Sequence, residues 1–337
     1  MQRDGDNATA ARQAWGETAP GEAADARRDR PLVSIGLPVY NGERFLRETL
    51  EALLTQEFND YELLISDNAS TDGTEAIARE FAERYPRISY QRNAENLGAA
   101  RNFELLVERA RGTYFIWASA HDLLAPTFLS KCVEIMDSRP SVILCYCHTR
   151  FIDAEGKAFM LQRAPDTRGL GRHARYKAAL WHLPCYAIYG LHRTATLRQA
   201  MPILGTLGMD FIMLTELALL GEFALIPEPL FGLRLLVEKS GDWRGYFHRL
   251  SVTLTWWNPP LLAWRYVALH LSRVCRHSTG PGDKAYLVAA GLVRSVYLAA
   301  GFLVGLAGST LLPGLYRWLA RRHYGVQQGR IGTREGL

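Results

Sequence analysis

From Pro31 onward, short apolar runs alternate with longer stretches in which apolar residues recur at helical spacing. Leu32-Val33-Ser34-Ile35-Gly36-Leu37 reads as a buried strand closed by Pro38. Phe45, Leu46, Leu50, Leu53 and Leu54 then share one helical face, and Asn41 is placed to cap that helix. Residues 61–65 form a second apolar run, followed by the polar turn Ser66-Asp67-Asn68-Ala69-Ser70-Thr71-Asp72-Gly73 and a helix over 74–85. Residues 88–91 make a third candidate strand, Asn96-Leu97-Gly98 a turn, and Leu105, Leu106 and Val107 mark the next helix. A fourth run, Thr113-Tyr114-Phe115-Ile116-Trp117, is apolar enough to be buried on both faces, and it breaks into Ala118, Ser119, Ala120, His121 and Asp122. Pro126 follows, where a helix starting at Thr127 tolerates it. Strand–helix alternation of this kind predicts right-handed crossovers and a mainly parallel sheet. Each strand empties its polar turn at the same edge, so Tyr40, Asp67, Gly98, Arg101 and Asp122 are expected to converge.

The pattern loosens after the turn Asp153-Ala154-Glu155-Gly156. Residues 163–175 are basic and glycine-containing, which predicts a loop over the site. Residues 186–191 read as an edge strand and 193–201 as a short helix stopped by Pro202. Gly208-Met209-Asp210 precedes an apolar helix over 211–220, with Gly221 as its left-handed cap, and Pro227-Glu228-Pro229-Leu230-Phe231 leads on to Arg234. In SVILCYCHT, alternation puts Cys145 and Cys147 on one buried strand face, which favours core thiols over a metal site.

Composition sharpens this picture in three places. Residues 1–30 carry almost no large apolar side chains and are expected to be disordered, and they lack the apolar run of a signal peptide. The net charge of +5 is unevenly shared: from Trp264 onward ten Lys/Arg face two acids, so that tail carries +8 and the remainder −3. A basic tail holding Trp256, Trp257, Trp264, Tyr266 and Trp318, with an uncharged run of 22 residues over 295–316, suits an anionic membrane surface. Its many small residues and Pro313 favour a helix lying in the interface over a spanning one. No compact basic-aromatic motif indicates nucleic acid. Five cysteines without framework spacing fit a reducing compartment, hence the cytoplasmic side of a membrane.

Three motifs now stand at the feet of three strands: Pro38-Val39-Tyr40-Asn41-Gly42-Glu43, Ser66 through Thr74, and Asn96-Leu97-Gly98-Ala99-Ala100-Arg101-Asn102. Together, over about residues 31–240, they resemble the family 2 glycosyltransferases of GT-A fold. The resemblance implies an α/β fold with a mostly parallel sheet flanked by helices over 31–240. Residues 241–337 then form a helical, basic, membrane-associating region. It also implies a nucleotide-diphosphate sugar donor, a glycan or lipid-linked acceptor, and transfer with inversion. The family's base-binding positions fall on Pro38, Tyr40 and Asp67, where an aromatic can stack on the base and a carboxylate accept its imide N–H. An Asx-turn is the competing account of Asp67. Glu43 serves either the nucleotide or a helix N-terminus. Gly98 allows close backbone approach, and Arg101 contacts ribose or diphosphate or else lies on a solvated helix face.

The fourth motif departs from the family. Where an acidic Asp-x-Asp is usual, this chain has Ser119, Ala120, His121 and Asp122, so the cation-binding aspartate aligns with His121. Imidazole suits Mn²⁺ better than Mg²⁺. Three readings stay open: a Mn²⁺ site on His121 and Asp122, a metal-independent site, or a catalytically weak nucleotide-sugar-binding pseudoenzyme. Arg234-Leu235-Leu236 keeps the arginine of the family's Arg-x-His and lacks the histidine. Asp210 aligns with the catalytic base, which an inverting transfer needs to deprotonate the acceptor hydroxyl; capping the following helix is its other role.

Overall fold

The computed structural model describes residues 30–202, 208–235 and 259–311, with side chains from 264 to 297 in the last stretch. The expected disorder of 1–29, the boundary at 240, Trp256, Trp257, Trp318 and the end of the uncharged run lie outside the described residues.

The strand–helix alternation is as the pattern predicts. Strand β1 (Val33–Val39), helix α1 (Glu43–Leu54), β2 (Tyr61–Asp67), α2 (Thr74–Arg84), β3 (Ile88–Arg92), α3 (Ala99–Arg109) and β4 (Tyr114–Trp117) follow in order. Strand β1 pairs in parallel with β2 and β4, and β2 with β3. Every residue of β1, β2 and β4 is buried, because helices cover both faces of the sheet. The remaining elements are β5 (Leu123–Leu124), α4 (Phe128–Ser138), β6 (Val142–Ile152), β7 (Ala158–Gln162), α5 (Arg172–Trp181), a 3₁₀ turn (Cys185–Tyr189), β8 (Leu191–Arg193), α6 (Thr194–Gln199), α7 (Met209–Leu220), β9 (Glu222–Arg234), α8 (Pro259–Cys275) and α9 (Pro281–Leu311). The sheet order is β3-β2-β1-β4-β8-β6-β9-β5, with β7 on the side of β6.

The run read as an edge strand over 186–191 is instead a 3₁₀ turn plus a strand in the middle of the sheet. β8 is antiparallel to β4 and to β6, using only two residues on each side. Two antiparallel pairings restore direction, so β6 points the same way as β4, and β9 runs parallel to β6. The carboxyl ends of β1, β2, β3, β4, β6 and β9 therefore lie along one edge. That edge is where an open α/β sheet binds its ligand.

Four further expectations change. Strand β9 continues through Pro227 and Pro229, with a register shift between Cys147 and Thr149 of β6 absorbing the missing donors. Gly221 is extended (φ −171°), and the left-handed glycine stands at the other end of α7, at Gly208 (φ 63°). Asn41 does not cap α1; its own φ is 51° and its side chain faces a neighbouring loop. Residues 163–175 are not a loop over the site: 172–175 open α5, and the Thr167 N–H bonds the Phe223 carbonyl and the Gly169 N–H bonds Glu222, at the opposite edge of the sheet. Cys145 and Cys147 are core residues, as read.

Helices α8 and α9 pack on each other and on α7. The contact is ionic as well as apolar. Glu216 of α7 is fully buried and meets Arg273 at 3.3 Å and His277 at 2.9 Å. Tyr266 of α8 lies where a side chain on Gly208 would stand, 3.0 Å from the position of its Cβ, so the glycine lets α8 buttress the start of α7. Among the described residues, no helix is long and apolar enough to cross a membrane.

Candidate active site

The loops after β1 and β2 are tied together by their own polar groups. The Asn41 N–H donates to Ser70 Oγ (2.9 Å), the Thr71 N–H to Asn41 Oδ1 (2.8 Å), the Gly42 N–H to Thr74 Oγ1 (2.8 Å) and the Gly73 N–H to Glu43 Oε2 (3.0 Å). A Cβ on Gly73 would sit 2.6 Å from Glu43 Oε1, so glycine lets the Glu43 carboxylate come this close without turning aside. Glu43 is thus engaged in clamping the second loop. The third loop joins through amides: Asn68 Nδ2 donates to Asn96 Oδ1 (2.7 Å), and Asn68 Oδ1 accepts the Leu97 N–H (2.9 Å). Asn102 Nδ2 and the Ser66 carbonyl close the network at 2.9 Å. Gly98 has φ 80° and ψ 161°, a conformation essentially confined to glycine.

This frame leaves two apolar side chains standing in solvent. Tyr40 is 50% exposed after β1 and Leu97 is 40% exposed after β3, flanking the end of β2. Pro38 is buried within β1 beneath them. The Asp67 carboxylate, by contrast, is enclosed: Oδ1 accepts the Ser70 N–H (2.9 Å) and Oδ2 the Tyr90 hydroxyl (2.8 Å). These bonds build the Asx-turn that is the other account of Asp67 and shape residues 68–70. Arg101 lies on the outer face of α3, paired with Glu108 at 2.5 Å and Glu104 at 3.2 Å, pointing away from the role of a diphosphate ligand.

The turn after β4 is held by β9. Asp122 Oδ1 accepts the Arg234 N–H at 2.8 Å, and Arg234 Nε donates to the His121 carbonyl at 2.8 Å. The same guanidinium reaches Glu48 Oε2 (2.7 Å) and covers the Phe45 ring at 4.5 Å. Arg234 is therefore a buried strut, saturated by protein groups. Burial pushes the Asp122 carboxyl above the usual carboxylate range. His121 is half exposed, with Nε2 3.8 Å from Asp122 Oδ1 and ring nitrogens 3.2 Å from Ser119 Oγ. Among the described residues, no three His, Cys, Asp or Glu side chains gather as a metal cluster. A cation here would take one imidazole and at most one carboxylate from the chain, a nitrogen-containing set that Mn²⁺ accepts.

Beside this turn opens a cavity of about 360 Å³, between the ends of β6 and β9, the 3₁₀ turn, α3 and the start of α7. Phe151, Leu233, Tyr186, Phe103 and Met213 line it, and Asp210 is its single charged residue. Asp210 sits in the first turn of α7 and accepts the Phe211 N–H at 2.8 Å. Burial raises its carboxyl above the usual value against the opposing pull of that N–H and of the Cys185 side chain. Tyr189 also lines the cavity; burial and the charges of both Asp122 and Asp210 raise its phenol. The sequence reading gave no role to Tyr186, Tyr189 or Leu233, because a 3₁₀ turn over 185–189 carries no periodic signal.

Residues 34–200 match the family model described as glycosyl transferase family 2. The abequosyltransferase RfbV of Salmonella typhimurium is 41% identical over 117 residues, 34% of this chain and 35% of that protein. The chondroitin synthase of Escherichia coli is 34% identical over 128 residues, 37% of this chain and 18% of that protein. The matched stretch thus spans well under half of these relatives. Among solved structures, the crystal structure of S. aureus TarS 1-349 in complex with UDP superposes with a TM-score of 0.53 at 13% identity, over 80% of this chain and 91% of that one. The mannosyltransferase PcManGT from Pyrobaculum calidifontis, in complex with GDP-Man and Mn²⁺, gives 0.52 at 18% identity, over 94% and 86%. Through residues 34–200 the chain belongs to glycosyl transferase family 2, and its curled, helix-flanked sheet is a GT-A fold.

Proposed function

We propose that the protein is an inverting glycosyltransferase, moving a sugar from a nucleotide-diphosphate donor to a hydroxyl of a glycan or lipid-linked acceptor. The observation that carries this reading is the apolar cavity at the carboxyl edge of the sheet, with Asp210 in its wall and Asp122 bonded by the Arg234 N–H, next along β9 from Leu233 of the same wall. We assign Asp122 to the side of the donor diphosphate and Asp210 to the side of the acceptor. In-line displacement needs leaving group, anomeric carbon, attacking oxygen and base in that order, and the two sides of this cavity provide its ends. Asp210 takes the proton from the acceptor hydroxyl as it attacks. Its raised affinity for protons makes it a stronger base than an exposed aspartate.

The nucleoside lies on the edge framed by Pro38, Tyr40 and Gly98, with Tyr40 stacking on the base, while Asp67 and Glu43 keep the loops in shape. A divalent cation would be held by His121 and Asp122 and would neutralise the departing diphosphate; the imidazole makes Mn²⁺ the fitting ion. The apolar stripe Val293, Val296 and Tyr297 on α9, all more than half exposed, adjoins Trp181, with Arg294 over the Trp181 ring at 4.9 Å. An amphipathic face ending in Arg and aromatic groups supports docking on the cytoplasmic face of a membrane. Release of nucleoside diphosphate from a panel of UDP-, dTDP- and GDP-sugars, with and without Mn²⁺, tests the reading. Turnover of at least one donor that falls with Asp210→Asn is expected; no release and no binding of any of them contradicts it.

A further inference from the structure

The cavity at Asp210 has an unusual lining for a sugar site. Hexose hydroxyls are ordinarily met by amides, guanidinium, ammonium or serine and threonine hydroxyls, since a buried hydroxyl left without a partner is costly. Among the described residues around this cavity there is none of these. Its walls are aromatic and aliphatic, and its polar atoms are the Asp210 carboxylate, the Cys185 thiol and the phenols of Tyr186 and Tyr189. The Tyr186 hydroxyl is buried without a hydrogen-bond partner, so it is one donor waiting for one acceptor. At about 360 Å³ the space is of small-molecule size. Asp210, the proposed base, stands in its wall, and Leu233 of that wall precedes Arg234, whose N–H bonds Asp122, which under that assignment puts the transferred ring here.

We infer that the transferred sugar is a deoxyhexose, because a cavity walled by Phe151, Leu233, Ile188 and Met213 stabilises methyl and methylene groups, and its described side chains offer ring hydroxyls only Asp210, Cys185, Tyr186 and Tyr189 as partners. This rests on the assignment of Asp210 as base and of Asp122 to the diphosphate side. A 6-deoxy carbon is a methyl group that gains by burial against an apolar wall such as Leu233 and Phe151, whereas a hydroxyl set against that wall loses its water without replacement. The aromatic walls suit the apolar face of such a ring.

The test is calorimetric titration of the full chain with matched donor pairs differing only at carbon 6: GDP-mannose with GDP-6-deoxymannose, dTDP-galactose with dTDP-6-deoxygalactose, and UDP-glucose with UDP-6-deoxyglucose. Bare GDP, dTDP and UDP serve as references. In the pair whose nucleotide binds, the deoxy donor is expected to bind about tenfold or more tightly than its hydroxylated partner. Leu233→Asn, which places an amide on that wall, is expected to shrink the ratio to about threefold or less, while the bare nucleotide binds both proteins alike. Equal or tighter binding of the hydroxylated donor overturns the inference and leaves the donor site standing. An unchanged ratio in Leu233→Asn also overturns it. Failure of every donor and every bare nucleotide to bind overturns the glycosyltransferase reading itself, and this inference with it.

Discussion

At the scale of single residues, Asp210 makes the sharpest demands. Its carboxyl binds a proton more readily in the folded protein than in the unfolded chain, because burial disfavours the charge. Between the unfolded and folded pKa the native state holds more protons, so its stability falls as pH rises through that window. Above the folded pKa the full cost is present. Asp210→Asn is therefore expected to raise the melting temperature at pH 7 while removing transfer, and to lose that advantage below pH 4; scanning calorimetry at the two pH values checks it. The acid limb of kcat/KM, read on the wild type, should lie above the ordinary aspartate range. His121 makes a different prediction. His121→Asp restores an oxygen donor beside Asp122, so Mg²⁺ should support donor turnover in the variant where wild type responds chiefly to Mn²⁺. Equal metal dependence in the two proteins would remove His121 from the cation site. What could be read at this scale from the sequence was identity and approximate place. Asp67, Glu43 and Arg101 each carried two accounts, a donor contact or a role within the protein, and each is seen bonded to protein groups. The side-chain partners that decide this come from residues 23 to 30 positions away, or from the next turns of a helix, and no local pattern announces them.

At the scale of elements, alternation of apolar runs located β1, β2, β3 and β4 and their helices to within about two residues, since burial on both faces leaves a dense apolar signature. Strand β8 was misplaced for the opposite reason. Three residues long, it sends Leu191 into the core on one face of the sheet and His192 to the other, 5.6 Å from the Trp117 ring. Burial holds His192 down to about 4, neutral at physiological pH, with its Nε2–H donating to the Ile188 carbonyl. The 3₁₀ turn that walls the cavity is thereby tied to the sheet. The loop clamp is equally specific. Gly73→Ala puts a methyl against the Glu43 carboxylate and loosens its bond to the residue-73 N–H, so a modest loss, about two- to threefold in nucleotide affinity, is expected by titration, with the apolar core unaffected. Helix α7 is anchored from behind by Glu216. Glu216→Ala leaves Arg273 buried without its carboxylate partner, and a loss of about 3–5 kcal/mol in stability by denaturant unfolding is expected.

At the scale of the whole molecule, two parts meet at α7. The sheet places donor-binding loops along one edge, and the C-terminal helices fix the helix that carries Asp210 through Tyr266 and Glu216. The uneven charge of the chain foretold two parts of different character. It did not foretell that the second would support the first, because packing of α8 on α7 depends on buried groups distant in sequence. The exposed stripe on α9 predicts sedimentation of the full chain with vesicles containing phosphatidylglycerol, weakened when Val296 and Tyr297 are both changed to Asp; unchanged binding would place the contact elsewhere. The central claim is narrower: a donor lies along the strand edge and Asp210 takes the acceptor's proton. The measurement that reaches it most directly is a comparison of wild type and Asp210→Asn for two quantities on one preparation, donor dissociation constant by titration and transfer rate at saturating donor. The account predicts a dissociation constant within about twofold and a rate lower by about 10²–10⁴. A variant that keeps its rate, or that loses donor affinity in proportion to its rate, contradicts it.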